Sequence, residues 1–252
     1  MLSVSSTRQV KLSALAGLVV CALLVSPARG SESYFMVIFS AQRQDGTNPA
    51  PQAHSFGIFA KVTGDGGQPE RFSLESFMVS WLPQTGDVHL WRRPETGANL
   101  DFPTSFAWAR DHGLCVSMWG PYQIEPRFYE RAVARSMELE SGKVRYKAID
   151  TGFPAARVTN CIHALSDISF NKKRLRLGSP SWGDPASYFI MQSFRPWIID
   201  ENCTHDWLLG PLGLNDQRVI RRDLASGNPE DRPVQRVLQN IAHAHLLRHV
   251  RP

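Results

Sequence analysis

Four apolar runs of eight to twelve residues, separated by stretches of turn-forming residues, limit what this 252-residue chain can fold into. They are YFMVIFSA (34–41), HSFGIFAKV (54–62), FSLESFMVSWLP (72–83) and LCVSMWGPYQI (114–124). Each is rich in β-branched and aromatic side chains, too short for a spanning helix, and bounded by Gly, Pro, Asn or Asp, so each reads as a strand. The turn TGDGGQPE between the second and third runs predicts a hairpin. Within the second run, His54, Phe56, Ile58, Ala60 and Val62 fall on one face, which places His54 toward the core. In the third, Phe72, Leu74, Ser76, Met78, Ser80 and Leu82 share a face that carries two hydroxyls.

Helical periodicity enters later. Pro126 opens a segment in which Phe128, Tyr129, Ala132, Val133 and Met137 recur at helical spacing, with Gly142 as its stop. VRYKAID (144–150) reads as a further strand, ASYFIMQSFRPWII (186–199) as a mostly buried helix interrupted near Pro196, and 234–250 as an amphipathic helix. Strands followed by helices define an α+β class, here an antiparallel sheet packed against a helix that carries Cys161. Residues 31–252 read as one domain with a helical C-terminal part.

The first thirty residues stand apart. Arg8 and Lys11 precede the apolar stretch LSALAGLVVCALLV, and SPARG follows with small residues at Ala28 and Gly30. That is the pattern of a secretory signal peptide cut after Gly30, with an apolar stretch shorter than the roughly 20 residues of a membrane span. Its removal takes away three basic residues and no acidic ones, lowering the formal charge from +5 to +2. The run Lys172-Lys173-Arg174 reads as a solvated face, so nucleic acid is not an expected partner. The expected destination is periplasmic or extracellular, with no transmembrane anchor in the mature chain.

Export exposes thiols to oxidation, and the mature chain holds Cys115, Cys161 and Cys203. One is left over from any pairing. We expect a Cys115–Cys203 disulfide, leaving Cys161 as a thiol. Cys161 lies in RVTNCIHALSDI (157–168), where Asn160 or Thr159 caps the start of a helix and Ile162, Leu165, Ser166 and Phe170 follow at near-helical spacing. The helix start favours a thiolate. The competing readings are a small buried side chain for Cys161 and a hydrogen-bonded core histidine for His54. His163 points elsewhere on the helix and reads as structural.

Thiol catalysis needs a sulfur nucleophile, an imidazole and a group to orient it. The order of His54 on a strand, Ser80 on the next strand, and then Asn160-Cys161-Ile162-His163 at a helix start resembles the circularly permuted papain-like superfamily. That superfamily includes the lecithin:retinol acyltransferase group and related bacterial envelope enzymes. The likeness spans residues 54–168. The acyltransferase group commonly carries a second histidine where Ser80 stands. The resemblance implies a hydrolase or acyltransferase that attacks an amide or ester through an acyl-enzyme. Cys161 would be the nucleophile, His54 the general base and acid, Ser80 the orienting group, and the Cys161 N–H an oxyanion donor. It implies an envelope substrate, whether lipid, peptide or peptidoglycan, and no cofactor. The alternative is a non-catalytic exported binding or structural protein that keeps the fold, its seven tryptophans building a surface or a core. His243, His245 and His249 read as a polar helix face, so no metal is expected. The ENCTHDW cluster reads as a loop turn, and Asn202-Cys203-Thr204 matches a glycosylation sequon. Hydrolysis against acyl transfer and oligomeric state stay open at this point.

Overall fold

A long strand at the centre of a sheet must be apolar on both faces, and β1 (Ser31–Gln42) is, with Phe35 to Ala41 buried without a break. The computed structural model describes residues 31–43, 53–64, 72–169 and 183–224, all within the unit Ser31–Pro252. The expected signal segment, the 44–52 loop, Lys172–Arg174 and the 234–250 helix with its three histidines lie outside the described residues.

The main sheet has the order β3-β2-β1-β6-β9. β2 (His54–Gly64) and β6 (Cys115–Ile124) flank β1 antiparallel, β3 (Phe72–Val79) pairs antiparallel with β2, and β9 (Val219–Arg222) joins β6 in parallel. The class is α+β as expected, but the sheet is mixed because of β9. The third apolar run does not continue as one strand. It breaks at Ser80, whose N–H donates to Asn99 Oδ1 (2.7 Å), and continues as β4 (Trp81–Pro83) in a second sheet. That sheet, β4-β5-β7-β8, is completed by β5 (Glu95–Asn99), β7 (Arg145–Tyr146) and β8 (Val158–Thr159). The strand expected over 144–150 is thus only two residues long, and residues 147–157 form a loop closed by Arg145 N–H to Arg157 O (2.7 Å) and Lys147 N–H to Thr159 O (3.1 Å).

Helices cover both faces of the main sheet. α1 (Phe102–Asp111) starts where Asp101 accepts from the Thr104 N–H (2.9 Å), and it packs Phe106, Trp108 and Ala109 with Phe39, Phe56 and Ile58. The turn residues of 84–101 hid this helix from the sequence reading. On the opposite face lie α2 (Pro126–Glu140), α3 (Cys161–Ser166) and α4 (Asp184–Phe194), packed with Met36, Ile38 and Phe59. The buried stripe of α2 is Phe128, Ala132, Arg135, Ser136 and Leu139, whereas Met137 is 67% exposed. The apolar spacing had pointed to Met137. The stripe instead includes Arg135, a residue that hydropathy alone assigns to the surface. A 3₁₀ turn at Arg195–Trp197 ends α4 where Pro196 predicts an interruption.

Candidate functional site

The course of the chain into Cys161 is set by one asparagine. Asn160 leaves β8 with an extended backbone, and its side chain caps α3 by accepting the His163 N–H (2.8 Å). Asp150, from the loop between β7 and β8, secures the same residue. Its carboxylate accepts the Asn160 N–H (3.2 Å) and the Asn160 side-chain amide (3.2 Å), and it engages His163 Nδ1 at 2.7 Å. Asp150 is buried. A carboxylate is acceptor-only, which assigns the ring proton of His163 to Nδ1. Neither this contact nor Asp150 was visible to spacing arguments, because the partners stand 13 residues apart across a loop.

α2 holds α3 from the other side. The Arg135 guanidinium donates to the carbonyl oxygens of Ala164 (3.1 Å) and His163 (3.4 Å), to Thr159 Oγ1 (3.3 Å) and to Asp167 Oδ2 (3.3 Å). A six-residue helix has almost no intrinsic stability, so such anchors keep Cys161 in place.

Cys161 is buried, and burial pushes its thiol up to about 11, with the Asp150 charge adding to the effect. The backbone N–H groups of Ser55, Ile162 and Cys161 itself pull in the opposite direction. The sulfur is therefore a neutral thiol at pH 7. Iodoacetamide labelling of the folded chain is expected to show Cys161 reacting only as the pH rises well past the roughly 8.5 of an ordinary thiol. A plateau in labelling rate below that value, with the site mapped to Cys161, would contradict the burial.

The expected partners assemble differently. His54 Nε2 and Ser80 Oγ meet at 2.9 Å, and Ser105 of α1 donates to the same Ser80 oxygen at 2.7 Å. The other ring nitrogen, Nδ1, makes no hydrogen bond. His54 packs against Phe56 and Trp108, on the α1 face of β2. Cys161 belongs to the opposite face, with Phe59 and Leu165. No hydrogen bond joins His54 to Cys161. A thiol–imidazole pair of Cys161 and His54 would need the cysteine helix on the His54 face, and α3 lies on the other. Both faces of β2 are apolar, and α3 takes the face of Gly57, where an added Cβ would lie 3.4 Å from Leu165 Cδ2 and 2.6 Å from Ile38 Cδ1. An added side chain would collide with Ile38 of the neighbouring strand and would meet α3 at contact distance.

No disulfide links the described cysteines. Cys115 opens β6, whereas the loop holding Cys203 docks further along that strand, with His205 N–H on Pro121 O (2.9 Å). Six residues of strand separate those two points, about 20 Å at ~3.3 Å per residue, against a Cα separation limit near ~7 Å for a disulfide. Among the described residues no helix is long and apolar enough to cross a membrane. Compared with protein-family models, curated proteins and solved structures, the chain shows no match to any of them.

Proposed function

We propose that this chain is an exported thiol-dependent hydrolase or acyltransferase with a permuted papain-like arrangement, acting on an amide or ester of the cell envelope. The observation that carries the reading is the place of Cys161 as the first residue of α3, at a helix start pinned by Asn160 and Asp150. Amides fixed around a nucleophile are positioned to receive the charge that develops on the carbonyl oxygen during attack. A neutral thiol calls for a base that removes the proton as the carbon–sulfur bond forms, rather than a standing thiolate–imidazolium pair.

A second reading, a non-catalytic protein that retains the fold, is favoured by two observations: burial holds the thiol at about 11, and no hydrogen bond joins it to His54. One experiment separates the two. The purified chain is mixed with p-nitrophenyl acetate, and the p-nitrophenolate burst is followed together with the mass of the Cys161 peptide. The enzyme reading expects acetyl-Cys161 to form and the burst to fall about a thousandfold in Cys161→Ala. A burst indifferent to that substitution, or no acetylation at Cys161, supports the non-catalytic protein.

A further inference from the structure

We infer that one exposed face of the second sheet, built from the segments 88–96 and 143–157, is a docking surface for a bilayer that carries anionic phospholipid. The inference stands whether or not Cys161 reacts. The two segments hold six basic and two acidic residues, a formal +4, against +2 for residues 31–252 as a whole. The remainder of that span is therefore net negative, and the excess of positive charge is gathered here.

The fold brings the two segments together. Glu95 and Thr96 of β5 pair with Tyr146 and Arg145 of β7. The Lys147 ammonium donates to the Arg92 carbonyl oxygen at 2.7 Å, and the Arg145 guanidinium to that of Pro94 at 3.2 Å. Arg145 and Lys147 stand on either side of Tyr146, whose ring is buried in the core, so both leave the sheet on its outer side. Arg92 and Arg93 are exposed. Of the two carboxylates, Asp150 is buried, and Glu95, 18% exposed, faces Arg92 at 3.4 Å. What this face shows to water is cationic.

Aromatic rings stand among the cations. Trp91, at 84%, is the most exposed large hydrophobic residue of those described, and the Phe153 ring lies 5.8 Å from the Lys147 ammonium nitrogen. A tryptophan left almost wholly in water gains nothing from burial in the fold. Indole settles in the interfacial layer of a bilayer, where neighbouring basic side chains meet lipid phosphates. A long soluble polyanion would run past this face onto surface that is net negative, whereas a bilayer needs the one face alone. The loop that bears Phe153 also carries Asp150, which holds Asn160 and His163, so a bilayer here would rest against the loop that sets the start of α3.

The test is co-sedimentation of the full chain with phosphatidylcholine vesicles, with and without phosphatidylglycerol as a minor component. Binding is expected only with the anionic lipid and should weaken as salt rises. Arg93→Gln should lower the partition about fivefold, Arg92→Gln combined with Arg93→Gln about thirtyfold, and Trp91→Ala about tenfold. Brominated acyl chains should quench a share of the tryptophan emission that Trp91→Phe lacks. All these proteins carry the same termini, so the differences read this face alone, and circular dichroism restricts the comparison to folded chains. The inference is overturned if anionic vesicles bind no more protein than neutral ones, if the Arg and Trp variants bind as the parent does, or if Trp91→Phe loses none of the quenched emission. Release by inorganic phosphate at constant ionic strength overturns it in favour of a small-anion site. A single-stranded oligonucleotide that binds more tightly than the vesicles, and loses affinity in the same variants, overturns it in favour of nucleic acid.

Discussion

Arg135→Ala is expected to cost about 3–5 kcal/mol of folding stability, the range for removing one partner from a buried charge network. The side chain is 6% exposed and bonds to two carbonyl oxygens of α3, to Thr159 just before it and to Asp167 just after it. Its removal takes from the Ala164 carbonyl its Arg135 donor and leaves Asp167 without this ion pair. Arg135→Lys should recover only part of the loss, because an ammonium cannot reach several acceptors in the plane of a guanidinium. Urea unfolding of the three proteins measures the difference. The loss should be accompanied by faster alkylation of Cys161 under native conditions, since the six-residue α3 depends on this anchor. An Arg135→Ala chain within about 0.5 kcal/mol of the parent would show that α3 is held by packing alone.

The second large effect is a dependence of stability on acid. Burial lowers the His54 imidazole to about 3, from about 6.5 in an unfolded chain. The native protein therefore keeps His54 neutral in a range where the unfolded chain binds a proton. Its contribution is fully present above about pH 6.5. It is lost as the pH falls toward about 3, at no more than about 1.4 kcal/mol per pH unit, and levels off below. Denaturation midpoints collected through that window for the parent and for His54→Gln should diverge by a few kcal/mol, with the variant showing the flatter curve. Carboxylates titrate in both proteins, so the difference between curves isolates the imidazole. Parallel curves would mean that His54 is solvated or protonated in the folded state.

These two residues also mark where sequence reasoning succeeded and where it stopped. His54 was placed on the inward side of its strand and paired with Ser80, and the two do meet. The remaining step, bringing Cys161 to them, required knowing which face of β2 receives α3. Alternation separates the faces but does not rank two apolar ones, and the packing of α3 on the Gly57 face joins segments more than a hundred residues apart. Arg135 was unremarkable in sequence because its partners around α3, two backbone carbonyls among them, lie 24 to 32 residues away. Asp150 escaped for a similar reason: a loop of unremarkable composition delivers the carboxylate to His163.

What this sequence determined by itself is local. Period-two apolar runs set the principal strands, Pro126 and Gly142 bounded α2, and the cap at Asn160 put Cys161 at a helix start, because these signals depend on neighbours within a few positions. The tertiary structure alone decided that β3 ends at Ser80 and the chain crosses to a second sheet, that α1 and α3 take opposite faces, and that Asp150 closes on His163. Those choices turn on which of several compatible surfaces packs most closely and satisfies its buried polar groups, a comparison that exists only once distant segments are in contact.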